Sequence, residues 1–144
     1  MKVSLFVPCL VDQFFPEVGV ATVKILQRVG CEVEYPTEQT CCGQPAFNTG
    51  YRSDAKVLAE RFIKVFAKSD YVVAPSGSCV SMAKIFYDEL NLSKEFITEL
   101  DVLKTKIYEL SEFLVDVLKV TDVGASFQGK VTYHESCHLL RELH

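Results

Sequence analysis

Short apolar runs alternate along this chain with longer segments in which apolar residues return at helical spacing. That alternation restricts the fold more than any other feature of the sequence. Residues 2–8 read as a buried strand, with Val3, Leu5, Phe6 and Val7 apolar and Pro8 ending the ladder. Residues 16–29 carry Val20, Val23, Ile25, Leu26 and Val29 at near-helical spacing, with Pro16 in the first turn and Gly30 as the stop, which predicts a crossover helix. Residues 31–35 alternate as a second strand, and a polar, glycine-containing loop follows over 36–50. A helix over 53–68, capped by Ser53, is predicted to bury Val57, Leu58, Phe62, Val65 and Phe66. Residues 71–74 form a third apolar run. The Pro75-Ser76-Gly77-Ser78 turn then leads into a helix over 79–90 that buries Val80, Ala83, Ile85, Phe86 and Leu90. An amphipathic stretch over 111–120 precedes a fourth expected strand at 130–134. Strands alternating with helices predict an α/β fold, an open parallel sheet with helices on both faces.

The chain is long enough to bury a core without covalent staples: at 144 residues it should bury about two-thirds of its unfolded surface. A net charge of −4 and the absence of any basic run longer than two residues argue against nucleic acid as a partner. No apolar run reaches the roughly 18 residues of a membrane span, and the apolar start is too short for a secretory signal, so a cytoplasmic location is expected. Six cysteines in that setting point away from disulfides and toward metal or redox chemistry.

In open, Rossmann-like α/β sheets, ligands gather outside the carboxyl ends of the strands. Cys9 follows the first strand, Cys41 and Cys42 lie in the loop after the second, and Cys79 begins the helix after the third. Adjacent cysteines in an extended strand would face opposite ways. Cys41 and Cys42 serve one site only if the backbone turns sharply, which Gly43 permits. Cys79 in a first helical turn gains from free N–H groups that favour a thiolate.

Between Cys9 and Cys41 there are 31 residues, and between Gly43 and Cys79 there are 35. With the phrases Phe6-Val7-Pro8-Cys9, Cys41-Cys42-Gly43-Gln44-Pro45, Pro75-Ser76-Gly77-Ser78-Cys79 and Tyr133-His134-Glu135-Ser136-Cys137-His138, this spacing resembles the CCG cysteine-rich domain family. That family includes the cysteine-rich subunit of heterodisulfide reductase and the iron–sulfur subunit of glycolate oxidase. The resemblance implies an iron–sulfur cluster, of [4Fe–4S] type, on Cys9, Cys41, Cys42 and Cys79. It also implies an electron-transfer subunit of an L-lactate or glycolate oxidation complex, with the other subunits as partners. Some family members bind a cluster through five cysteines; the fifth falls three residues after Cys79, where this chain has Met82. Four thiolates suit an ordinary [4Fe–4S] cluster and equally a tetrahedral zinc site. A zinc-stabilised structural or docking domain and a disulfide-reductase-like subunit therefore stand as alternatives, with zinc also possible as a substitute metal.

Family members carry two such domains in tandem. The Lys2-to-Cys9 and Lys130-to-Cys137 segments share a Lys-Val-hydroxyl start and a cysteine at the same offset. Residues 1–125 are accordingly expected to form a first CCG domain, and 126–144 the opening strand and cysteine of a truncated second repeat. Cys137 would be the first ligand of that second site, and the missing second domain a partner. Cys31, between Val29 and Val33, reads as core packing. His134 and His138 flank Cys137 without a third partner, and His144 is assigned nothing. Tyr51, Tyr71, Phe86 and Tyr87 are spaced as ordinary core or surface aromatics. No glycine-rich phosphate loop follows the first strand, so no nicotinamide or flavin is implied.

Overall fold

The computed structural model describes residues 1–134, 137 and 139–143. Four parallel strands, β1 (Lys2–Leu5), β2 (Glu32–Glu34), β3 (Val72–Ala74) and β4 (Ile107–Glu109), form one sheet in the order β2-β1-β3-β4. The alternation along β1 explains the two layers. Val3 and Leu5 join one apolar cluster with Leu26, Cys31, Val73 and Phe113. Phe6 joins the other, with Phe62, Phe66, Val72, Ala74 and Ile107. Helices cover both faces, as the sequence predicts for a parallel sheet.

The first cluster lies under α2 (Pro16–Arg28) and the segment after β4. There α7 (Leu110–Glu112) and the π turn Phe113–Val117 set Phe113 against Tyr71 at 5.4 Å and Tyr108 at 5.8 Å between ring centroids. The second cluster lies under α4 (Arg52–Phe66), α5 (Gly77–Lys84), the 3-10 turn Phe86–Leu90 and α6 (Lys94–Lys104). Its centre is aromatic: Phe6 meets Phe62 edge-on at 4.9 Å, and Phe62 meets Tyr87 at 5.8 Å. Such pairs contribute roughly 0.5–1.5 kcal/mol beyond area burial.

Several expected faces shift. Helix α4 buries Ala55, Ala59, Phe62, Ile63 and Phe66, while Val57 is 65% exposed. Small alanines let the helix lie close to the sheet, and that choice rotates Val57 outward. Tyr51 rather than Ser53 stands at its N-cap, without a side-chain cap bond. Helix α2 buries Gly19, Thr22 and Leu26, with Val20 exposed; the Thr22 hydroxyl is satisfied by donating to the Val18 carbonyl at 2.8 Å. The single helix expected over 79–90 breaks at Ile85, which is left partly exposed, and continues as the 3-10 turn to Asn91 in the left-handed region. Three helices go beyond the elements that periodicity predicts: α1 (Cys9–Phe14), α3 (Gln44–Asn48) and α6.

The fourth strand is also not where the sequence suggests. Residues 107–109 take that place, pairing Val72 with Ile107 and Ala74 with Glu109. Residues 130–134 form no ladder, and Val131 and Tyr133 stand exposed. Among the described residues, no strand of the sheet pairs with that segment. Glu135, Ser136, His138 and His144 lie outside the described residues; His134 and Cys137 are exposed.

The rotated face of α4 makes a direct prediction. Phe62→Ala should cost about 3–5 kcal/mol in urea denaturation, as for a large aromatic removed from a core. Val57→Ala should stay within about 0.5 kcal/mol. Equal losses at the two positions would overturn the assigned face.

Candidate metal centre

The strand order places a topological switch between β1 and β3, because the crossover from β1 runs to β2 on one side while β3 pairs on the other. At that crevice the structure brings all four predicted cysteines together. Cys9 is the first residue of α1, and Cys79 lies in the first turn of α5 behind its N-cap, Ser76. Cys41 and Cys42 sit on the loop between β2 and α3. Cys9 Sγ is 3.5 Å from Cys41 Sγ, and the Cys42 thiol lies within interaction range of both Cys41 and Cys79. Contacts therefore run from sulfur to sulfur across the crevice. Among the described residues, no three His, Cys, Asp or Glu side chains already surround a single ion position.

Gly43 makes the sharp turn that the Cys41-Cys42 pair requires. Its φ is +86°, and a Cβ there would stand 3.3 Å from the Ala55 carbonyl oxygen of α4. The left-handed conformation favours glycine, and a Cβ here would be a tight fit. Backbone N–H groups turn toward the sulfurs in this loop: Gly43 donates to Cys41 Sγ at 3.4 Å, Gln44 to Cys42, and on α1 Leu10 to Cys9. Below the loop, the fully buried Tyr87 hydroxyl donates to the Cys42 carbonyl at 2.8 Å. Burial pushes the Tyr87 phenol well above its ordinary range, so it stays a donor. The Gln44 side chain donates to the Ser78 carbonyl at 3.1 Å, tying this loop to the start of α5.

The proton distribution follows from these contacts. Cys41 is held down to about 5 by the hydrogen bond from Cys42, with further bonds from Gly43 and Cys9. Cys42 has a single S–H to share between Cys41 and Cys79 and is nearly fully buried, so its thiol is pushed far up. Cys79 is lowered, first by the bond from Cys42 and then by the Ser76 and Ser78 side chains. Cys9 is raised to about 11 by burial and by donating to Cys41. Cys9 and Cys42 thus hold their protons more tightly than an ordinary thiol, and Cys41 and Cys79 release theirs more readily.

A cleft of about 380 Å³ opens beside Cys9, Cys42 and Cys79, walled by Pro8, Leu10, Val11, Phe15, Pro45 and Pro75. Four soft sulfur donors at the edge of an apolar cleft are of the chemical type that suits iron or zinc. Met82 is fully buried in the aromatic core, and Cys31 is buried on the other face of the sheet, its thiol raised by burial. Sequence reasoning missed Tyr87, which looks like one more apolar-period residue, and Gln39, whose side chain bonds to the strand end. No local pattern marks either one.

Comparison with known proteins gives a family match and a set of named relatives. A family model described as a cysteine-rich CCG domain matches residues 3–84. Over 143 residues, 99% of this chain, the sequence is 54% identical to lactate utilization protein A of Geobacillus kaustophilus and 53% identical to that of Geobacillus thermodenitrificans. It is also 53% identical to lactate utilization protein A of Halalkalibacterium halodurans. The chain spans about 60% of the length of these curated relatives.

Two sets of measurements test the local design. Tyr87→Phe leaves the buried Cys42 carbonyl without its donor and should cost about 1–3 kcal/mol in denaturation. Gly43→Ala should lose roughly 1–2 kcal/mol from the left-handed conformation alone. In the metal-free chain at pH 6.5, iodoacetamide should label Cys41 ahead of Cys9 and Cys42, because only the thiolate attacks. Its labelling rate should fall as pH drops through about 5. Indiscriminate labelling would contradict the assigned proton distribution.

Proposed function

Because this chain belongs to the cysteine-rich CCG domain family, we propose that it is the cluster-binding part of an iron–sulfur electron-transfer subunit in L-lactate oxidation. The observation that carries the reading is the convergence of Cys9, Cys41, Cys42 and Cys79, from three separate loops, at the switch point of the sheet. Relatives named for lactate utilization support the substrate of the wider system; glycolate is the second candidate by the same family resemblance.

The four cysteines would hold a [4Fe–4S] cluster as thiolates, with the protons still carried by Cys9 and Cys42 lost on binding. When bound, such a cluster takes up and passes on single electrons at a potential set by its surroundings. The chain supplies those surroundings. N–H groups of Leu10, Gly43 and Gln44 meet the sulfurs and stabilise added negative charge, which favours the reduced state. The apolar wall of Pro8, Leu10, Val11, Phe15, Pro45 and Pro75 lowers the local polarity and opposes added charge, so the two influences pull the potential in opposite directions. Met82 in the fifth-ligand position, buried in the core, leaves four thiolates and favours an ordinary cluster over a five-cysteine one. No general acid or base is required, because the residues bind and orient while iron carries the electron.

Partners in this reading are the dehydrogenase and iron–sulfur subunits of the lactate system and a second CCG domain. Among the described residues no helix is long and apolar enough to cross a membrane; a cytoplasmic site for the complex is part of the proposal.

Anaerobic assembly with iron and sulfide should give about four of each per chain, with an EPR signal on reduction. The Cys41→Ala, Cys42→Ala double variant should lose both. Stoichiometric zinc with no iron under the same conditions would replace this reading by a zinc-stabilised structural domain.

A further inference from the structure

Strand β1 is served unequally on its two sides. The Ser4 and Phe6 N–H groups donate to the Tyr71 and Val73 carbonyls on the β3 side. Leu5 and Val7 therefore turn their polar groups the other way, toward β2. Strand β2 has already ended at Glu34. The missing strand is replaced by one side chain: Gln39 Oε1 accepts from the Val7 N–H at 2.7 Å, and Gln39 Nε2 donates to the Leu5 carbonyl at 3.0 Å. The second N–H of the same amide donates to the Pro36 carbonyl at 2.8 Å, closing the turn that carries Gln39 itself.

A carboxamide presents one acceptor and two donors in a plane, as this arrangement demands. A glutamate would set oxygen against two carbonyl oxygens, and an aliphatic residue would leave Val7 N–H and Leu5 C=O without partners. The position matters because both clamped segments run directly to a sulfur. Val7 lies two residues before Cys9, and Gln39 lies two residues before Cys41. The clamp is thus the last fixed point before the two segments reach their cysteines, whose sulfurs stand 3.5 Å apart.

The geometry points to Gln39 as a positioning residue that sets the separation of Cys9 and Cys41, by extending the β1 ladder with a side-chain amide. It touches no sulfur and acts only through the two loops that it joins. The inference deepens the cluster reading and takes from it the use of Cys9 and Cys41 as joint ligands. The clamp itself is a property of the metal-free chain.

The test is a glutathione redox titration of that chain, in which two thiols and oxidised glutathione give the Cys9–Cys41 disulfide and two reduced glutathiones, with pairing mapped by mass spectrometry. Gln39→Leu and the near-isosteric Gln39→Glu should each lower the effective concentration of this pair by about tenfold or more, as expected when a flexible loop replaces a fixed one. Leu26→Ala, which weakens the core on the other face, should lower stability without lowering that value. Hydrogen exchange on the unmodified chain gives a reading that no folding defect can obscure: Val7 N–H should be protected to the level of Phe6 N–H. A fast-exchanging Val7, an unchanged effective concentration in folded Gln39 variants, or an equal fall in Leu26→Ala would each overturn the proposal. A wild-type chain that assembles no cluster, yet shows these effects, would sink the electron-transfer reading and leave the clamp standing.

Discussion

Everything in this molecule depends on the pairing of β1 with both β2 and β3. A parallel neighbour on each side requires the chain to leave β1 toward one edge and return toward the other, with a helix crossing on each trip. The loops that leave the carboxyl ends of β1 and β3 therefore diverge and open a crevice between them. Cys9 and Cys79 lie on those two loops, and the loop after β2 folds back to bring Cys41 and Cys42 between them. The sulfur row is a consequence of strand order.

Holding four sulfurs in that crevice sets like charges and buried polar backbone against one another, and the surrounding residues answer this with hydrogen bonds. Cys42 is buried, its thiol pushed far up, between Cys41 and Cys79, which are both lowered. Its carbonyl, which would otherwise be stranded in the aromatic core, is met by Tyr87. The loop that bears it turns on Gly43, where the backbone is left-handed and a Cβ would press against α4. Gln39 supplies what a longer β2 would have supplied. These contacts join segments about 30 to 45 residues apart in sequence.

Much of this is legible in the sequence. Helix α2, strands β1 to β3 and the convergence of the four cysteines at one sheet edge all follow from periodicity and from the carboxyl-end rule. The misreadings have a common cause. The preference of apolar residues for burial places Val57 and Val20 inward, yet the alanines of α4 and Gly19 with Thr22 on α2 let those helices approach the sheet by a different face. Strand β4 is three residues long with a tyrosine and a glutamate, a pattern too short to register until β3 offers it an edge. Residues 130–134 have the composition of a strand but pair with no strand among the described residues, and composition alone makes no ladder.

The sequence by itself determined the chemistry: four thiols rather than carboxylates or imidazoles, a glycine where the backbone must turn, a methionine where a fifth ligand would stand, and the α/β alternation that brings loops to one edge. These are properties of residue type and local period, which the chain carries in any conformation. Only the tertiary structure decided which groups hold the sulfurs in place, that Tyr87 reaches the Cys42 carbonyl and that Gln39 completes β1. A hydrogen bond between distant residues depends on where two backbones pass each other to within about 3 Å. That distance is set by packing of the whole domain and is written in no short stretch of it.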